Sequence, residues 1–398
     1  MSIRLLLVSL IAITLLSSQK AVAQDSIPLV KTYRIGIFAP LYIDSVFNEE
    51  GKFRFKQGMP RFVMPGLDFV NGAQIALDSL KLSPNQHIDA SIYDTKSYRT
   101  PVDKLIKTHQ LDSLDLIIGS VKDIEYKQLA DLALQKNIPF ISATYPNDGG
   151  ITANPFLIIV NSTLKAHCEA IYSFILQNYG TDKVLLVRKK GQQEDKIASY
   201  FKMMNEPDHK PLINIQTLNV DSSLSSNVLR KKLDTSQQTI IIGASLDESF
   251  ATNLTSVCYD LRDKYTITLL GMPNWDNFKS LVKKEEFEDF PLYFTTPYFN
   301  SKLDDYSRMV IDGYAKKHKG RPNDMVFKGF ESTYLFTSLL MAYPLDMMNH
   351  LSDKQFKIFS DYNFRPVMLK KENTIPDYFE NKHVYFIRIL DGAVSKAW

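Results

Sequence analysis

Between Leu114 and Thr144 the chain reads LDLIIGSVKDIEYKQLADLALQKNIPFISAT. An apolar run of strand length is followed by a Gly-Ser turn, an amphipathic stretch and a second apolar run. The pattern recurs along the chain. YRIGIFAPL, IDASIYD, FLIIV, KVLLVR, TIIIGA, TITLLG and PLYFTTPYF are short runs rich in β-branched and aromatic residues. Between such runs lie stretches with helical spacing of apolar residues, among them LDFVNGAQIALDSL and LKAHCEAIYSFILQNYG. Parallel strands need a long crossover, usually a helix, so this alternation predicts parallel sheets covered on both faces. The near-continuous apolar character of LDLIIG fits a strand buried on both sides. A chain of 398 residues carries more of these units than one sheet comfortably holds. Two doubly wound α/β lobes are therefore expected. NPFLIIVNST, residues 154–163, reads as the first crossing between them. No Pro- or Gly-rich tract separates the halves, which predicts a hinge of short strands rather than a flexible tether.

The first residues are expected to leave the mature protein. MSIRLLLVSLIAITLLSSQKAVAQ has Arg4, an apolar run from Leu5 to Leu16, and Ala21-Val22-Ala23. This is the pattern of a secretory signal peptide over residues 1–23. The run is shorter than the ~20 residues of a membrane-spanning helix, and no later stretch reaches that length. The expectation is a periplasmic or secreted protein that does not span a membrane. A formal net charge of +3 gives no electrostatic reason to expect nucleic acid as a partner. The two cysteines, Cys168 and Cys258, fall on the apolar faces of predicted helices. Export permits a disulfide, but such positions read first as buried free thiols.

The element order, with IIGS…LADLALQKNIPFISAT, resembles the type I periplasmic binding proteins. These include the amino-acid-binding proteins of ABC importers and the ligand-binding region of some receptors. IGIFAPL followed by GAQIALDSL is similar to their first strand and helix, and NPFLIIVNSTLKAHCEAIYSFILQNYGTDKVLLV to their first crossover and first second-lobe unit. RPNDMVFKGFESTYLFTSLL resembles their late lobe-one helix, and FENKHVYFIRILDG their closing strands. The likeness runs roughly from Lys31 to Gly392. It also extends to domains that some bacteria attach to LysM peptidoglycan-binding modules, although no LysM segment is seen. The resemblance implies two lobes joined by a three-crossover hinge and closing on a ligand. Lobe one is expected over residues 31–154 plus 298–350, and lobe two over 155–297 plus 351–398. Ligands of open α/β sheets meet loops at the carboxyl ends of strands. Here those loops follow Ile118, Ala143, Ile242 and Leu270.

These loops supply the candidate ligand-binding residues Ser120, Asp123, Thr144, Tyr145, Ser245, Asn274 and Trp275. In amino-acid-binding members, small hydroxyl residues and backbone N–H groups at a helix start hold the ligand carboxylate. In this chain Asp123 takes the main hydroxyl position, where it would repel such a group. The acid expected to meet a ligand ammonium after Gly271 is replaced by Pro273 and Asn274. Ser120-x-x-Asp123 and Ser245-x-x-Glu248 also read as capping boxes, which explains the same residue types without any ligand. Trp275 reads either as a ring that stacks on a ligand or as a core residue beneath its loop. The segment YIDSVFNEEGKFRFKQGMPRFVMPG alternates Lys52, Arg54 and Lys56 with Phe53 and Phe55. It reads as a hairpin with an aromatic and a basic face, either a functional cap or a surface decoration.

No catalytic motif, metal-ligand spacing, phosphate loop or dinucleotide fingerprint is present, so neither an enzyme nor a cofactor is expected. The leading expectation is an exported, non-catalytic binding protein that closes on a small ligand. A sugar, peptide or cell-wall fragment suits the altered loops better than a free amino acid. The alternative is an interaction protein without a ligand, acting on cell-wall or envelope enzymes by contact.

Overall fold

The computed structural model describes residues 31–221, 223–283 and 286–397. The expected signal peptide lies outside the described residues. The chain first lays down β1 (Lys31–Ala39), β2 (Gln86–Asp94), β3 (Leu116–Gly119), β4 (Phe140–Ser142) and β5 (Leu157–Ile159). It then crosses to build β6 (Lys183–Lys189), β7 (Ile215–Val220), β8 (Thr239–Gly243), β9 (Ile267–Leu270) and β10 (Leu292–Thr296). After two helices it returns to the first sheet with β11 (Phe364–Val367) and β12 (Tyr378–Asn381). It closes in the second sheet with β13 (Tyr385–Leu390) and β14 (Ala393–Lys396).

Each sheet has seven strands, ordered β11-β12-β5-β4-β3-β1-β2 and β14-β13-β10-β9-β8-β6-β7. Pairing is parallel except at one edge of each sheet, where β11–β12 and β10–β13–β14 run antiparallel. The chain passes between the sheets three times: after Ile159, after Thr296 and after Asn381. Two lobes with a three-crossover hinge, as expected, are therefore present.

The expected lobe boundaries need correction. β5 belongs to the first sheet, so residues 155–159 sit with lobe one. So do residues 364–381, because β12 pairs in parallel with β5 and holds β11 beyond it. The physical reason is the open edge of β5, whose unpaired backbone groups need a partner. Asp377 fastens the arrangement. Its carboxylate accepts from Ala153 N at 2.8 Å and from Leu369 N at 2.7 Å, and its carbonyl accepts from Asn154 N at 3.1 Å.

Helix Met64–Ser79 packs against helix Asp324–Ala342 with the two backbones nearly touching. A Cβ at Gly72 would lie 1.9 Å from the Val326 carbonyl oxygen, and one at Gly329 would lie 2.0 Å from that of Phe69. Only glycine permits this approach. It sets the late helix firmly on lobe one. The core of lobe two surrounds its own sheet and holds both cysteines, which are free and fully buried. Burial pushes the Cys168 thiol up to about 12 and raises that of Cys258 as well.

Candidate functional site

Ligands of open α/β sheets meet the carboxyl ends of the strands, so the loops there are the candidate rims of the space between the lobes. On the lobe-one rim, β3 delivers Ser120 and β4 delivers Thr144. Their hydroxyls lie 3.0 Å apart and share a hydrogen bond. Ser120 is therefore not a helix cap. Helix Asp123–Lys136 begins beyond it, and its N-cap residue Lys122 makes no side-chain cap. Asp123 has a φ of 57° and an exposed side chain, so the expected capping box does not form. The carbonyls that follow β4 are also held. Tyr298, on the second crossover, donates its hydroxyl to Ala143 O, and Asn161 Nδ2 donates to Thr144 O at 2.7 Å. Tyr145 packs edge-on against Tyr126 and, with Asp123, lines an open concavity of about 440 Å³.

The lobe-two rim is built differently. Ser245 is fully buried and donates to Glu194 Oε1 at 2.6 Å. The helix that follows, Glu248–Leu261, is capped by Asp247, whose side chain accepts from Phe250 N at 2.8 Å. The expected Ser245–Glu248 box is thus replaced by an Asp cap two residues on. Trp275 is fully buried too, and donates its indole N–H to Ser245 O at 2.9 Å. Added Cβ atoms at Gly243 and Gly271 would meet its ring at 2.4 and 2.3 Å. The indole occupies the space these glycines leave at the ends of β8 and β9. It presents no ring to the gap. Asn274 donates to Leu246 O at 2.8 Å, while its buried Oδ1 has no partner among the described residues. The structure thus gathers Ser120, Asp123, Thr144 and Tyr145 on one rim and turns Ser245 and Trp275 inward on the other.

A cluster absent from the sequence reading spans the gap. Lys328, on helix Asp324–Ala342 of lobe one, places its ammonium 4.2 Å from the centre of the Tyr298 ring. Burial pulls its pKa below the ordinary lysine value, against the opposing pull of Asp324, Asp276 and Glu331. Asp276 stands on the lobe-two loop after β9. Burial raises its pKa, and Lys328 opposes the rise. No ion pair within 4.0 Å joins the two. Behind Lys328, Glu331 is fully enclosed, and burial raises its pKa. It accepts from Ser360 N at 2.7 Å, Phe359 N at 2.9 Å, Tyr362 OH at 2.8 Å and Ser360 Oγ at 3.1 Å. The arrangement offers a cation, an acid and two hydroxyls to something placed between the lobes. It contains no nucleophile–base pair, and no metal-ligating cluster occurs among the described residues.

No family model matches the chain, and no curated protein matches it. Solved structures do match over nearly the whole length. A Rhodospirillum rubrum protein assigned to a branched-chain amino acid ABC transporter aligns at a TM-score of 0.63 and 11% identity, over 92% of this chain and 100% of its own. A branched-chain amino acid ABC transporter periplasmic ligand-binding protein from Burkholderia xenovorans aligns at 0.57 and 13%, over 92% and 94%. An ABC transporter substrate-binding protein from Desulfitobacterium hafniense aligns at 0.57 and 10%, over 92% and 100%. The chain therefore has the fold of the type I periplasmic binding proteins. At these identities the likeness speaks for the architecture, and the site must speak for itself.

Proposed function

We propose that this is an exported, non-catalytic binding protein whose two lobes close on a small dipolar ligand in the periplasm. The observation that carries the reading is the pair Lys328, half-buried on lobe one, and Asp276, exposed on the lobe-two loop after β9, neither of which has an ion-pair partner within 4.0 Å among the described residues. A ligand bearing both charges would satisfy both lobes at once and so favour the closed state, because only differential affinity shifts such an equilibrium. Among sugars, peptides and cell-wall fragments, a short peptide or a peptide-bearing cell-wall fragment fits best. It carries separated opposite charges, whereas the buried Trp275 offers no ring for a sugar. Asp123 on the lobe-one rim disfavours a free amino acid held by its carboxylate at that helix start. Delivery to an ABC importer is the role the fold suggests.

The test is native mass spectrometry of protein taken from its own export compartment, followed by calorimetry with dipeptides, tripeptides, sugars and free amino acids. Retained mass matching a peptide, and peptide affinity at least tenfold above that for free leucine, is the expected result. Tighter binding of sugars would sink the peptide assignment.

A second reading has one observation in its favour. The protein's own Tyr298 takes up space at the lobe-one rim, bonded to Ala143 O, as it would in a chain that no longer binds a ligand and works by contact. Absence of retained mass, together with no heat signal from any panel member, would favour it.

A further inference from the structure

After β1 the chain leaves lobe one through a long excursion, residues 40–63, before helix Met64–Ser79 begins. The excursion is firmly anchored at its base. Asp94, at the end of β2, accepts from Leu41 N, Tyr42 N and Ile43 N at 2.9, 3.0 and 2.7 Å. Asp44 accepts from Ser97 Oγ at 2.6 Å and Arg99 N at 3.1 Å. Beyond these anchors the chain folds into a short hairpin. Phe47 and Phe53 form an antiparallel bridge, and Arg54 N donates to Val46 O at 2.9 Å.

The hairpin exposes a continuous ladder of rings. Phe47, Phe53, Phe55, Phe62 and Tyr42 follow one another at centroid spacings of 5.8, 5.9, 6.4 and 5.0 Å. The four phenylalanines are 36–49% exposed, with nothing among the described residues covering them. Scattered exposed apolar residues need no explanation, but a contiguous patch on a built support does. Cations alternate with the rings. Lys52 pairs with Glu50 at 2.7 Å, while Arg54, Lys56 and Arg61 are exposed and have no side-chain partner among the described residues.

We propose that this hairpin docks the protein onto an anionic lipid surface. Neighbouring rings are tilted by 59° to 82°, so they make a ridge rather than a flat platform. A ridge suits insertion between headgroups, whereas stacking on a sugar ring needs a flat face. Arg54 and Lys56 adjoin Phe55 in sequence and Arg61 adjoins Phe62, and their long stems would let the charged heads reach lipid phosphates as the rings enter the acyl boundary. This placement is separate from the ligand-binding reading and does not depend on it.

The experiment is co-sedimentation of the chain from residue 24, which contains both sheets entire, with large vesicles. Phosphatidylglycerol-containing vesicles are compared with phosphatidylcholine alone at low and high salt. Wild type should bind the anionic vesicles and release them as salt rises. Phe53→Ser with Phe55→Ser should lower binding by roughly a hundredfold. Arg54→Gln and Lys56→Gln should each lower it about fivefold and flatten the salt dependence. The substituted side chains are exposed, so thermal melting should match wild type. Three results would each overturn the proposal: no sedimentation with anionic vesicles, equal binding to phosphatidylcholine, or an unchanged Phe53/Phe55 double variant. Binding seen only with native membranes, and abolished when those are protease-treated, would assign the ridge to a protein partner and overturn it as well.

Discussion

The indole N–H of Trp275 is bonded to the Ser245 carbonyl at 2.9 Å, so the loop after β9 is tied to the loop after β8. A single side chain thereby ties together the two lobe-two loops that face the gap. Ser245 in turn reaches Glu194 at the start of helix Gln192–Asn205, extending the connection to the loop after β6. The rim of lobe two is thus held by buried polar contacts as well as by the Asp247 cap.

Removing the ring should loosen that rim. Trp275→Ala should cost about 3–5 kcal/mol, the usual range for deleting a large buried aromatic. Trp275→Phe retains much of the ring but loses the hydrogen bond and leaves the Ser245 carbonyl unpaired, for about 1–3 kcal/mol. Urea unfolding of both variants against wild type measures this. A loss below about 1 kcal/mol for Trp275→Ala would mean that the ring is not part of the packed core.

His167 provides a pH-dependent stability. It is buried on helix Leu164–Asn178 with Nδ1 at 2.8 Å from Thr295 Oγ1, and burial pushes its pKa down to about 3. Its unfolded value is near 6.5. Between those limits the unfolded chain binds the proton and the folded one does not, so stability rises with pH across the window. The contribution is fully present above about 6.5 and is lost progressively as pH falls toward 3. Thermal melts of wild type and His167→Asn at pH 7.5 and 5 should show the smaller drop in the variant. Parallel drops would remove His167 as a source.

The two cysteines should be silent in the folded protein. Both are fully buried and their thiols are raised by burial, so little thiolate is exposed to reagent. An Ellman titration should find no reactive thiol in native protein and two after denaturation without reductant. Finding none after denaturation would reveal a disulfide.

Much of the architecture was legible because it rests on period. LDLIIG and its counterparts are near-continuously apolar, as strands covered on both faces are. The return of residues 364–381 to the first sheet was hidden, since FRPV and YFEN carry no mark of the sheet they join. Their place is decided by the open edge of β5 and by Asp377, a contact made across more than two hundred residues. The serines misled for a related reason. Ser245-x-x-Glu248 satisfies the capping pattern, but Glu194 competes for the hydroxyl and Asp247 is better placed to cap. Lys328 did leave a trace. It is a lone cation in MVFKGF, where Val326, Phe327, Gly329 and Phe330 are all buried. Its meaning depends on Tyr298 and Asp276, which reach it only through the second crossover and the opposite lobe.

Lys328 is where the ligand-binding reading is most exposed to test. Its ammonium lies over the Tyr298 ring with no carboxylate within 4.0 Å among the described residues, so the charge there has no direct ion-pair partner in them. Removing such a charge relieves desolvation, so Lys328→Met should leave stability unchanged or raise it by about 1 kcal/mol. Affinity for an anion-bearing ligand should move the other way, falling by about 2–5 kcal/mol, or roughly thirtyfold and more. The pH dependence has a definite sign. Because burial lowers the lysine's pKa, wild-type affinity should decline with rising pH before the ordinary lysine value of 10.5 is reached. The variant should show no such decline. Calorimetry across that pH range, with the ligand found by native mass spectrometry, reads both effects. A Lys328→Met protein that binds as wild type, with an unchanged pH profile, would place the site elsewhere on the two rims.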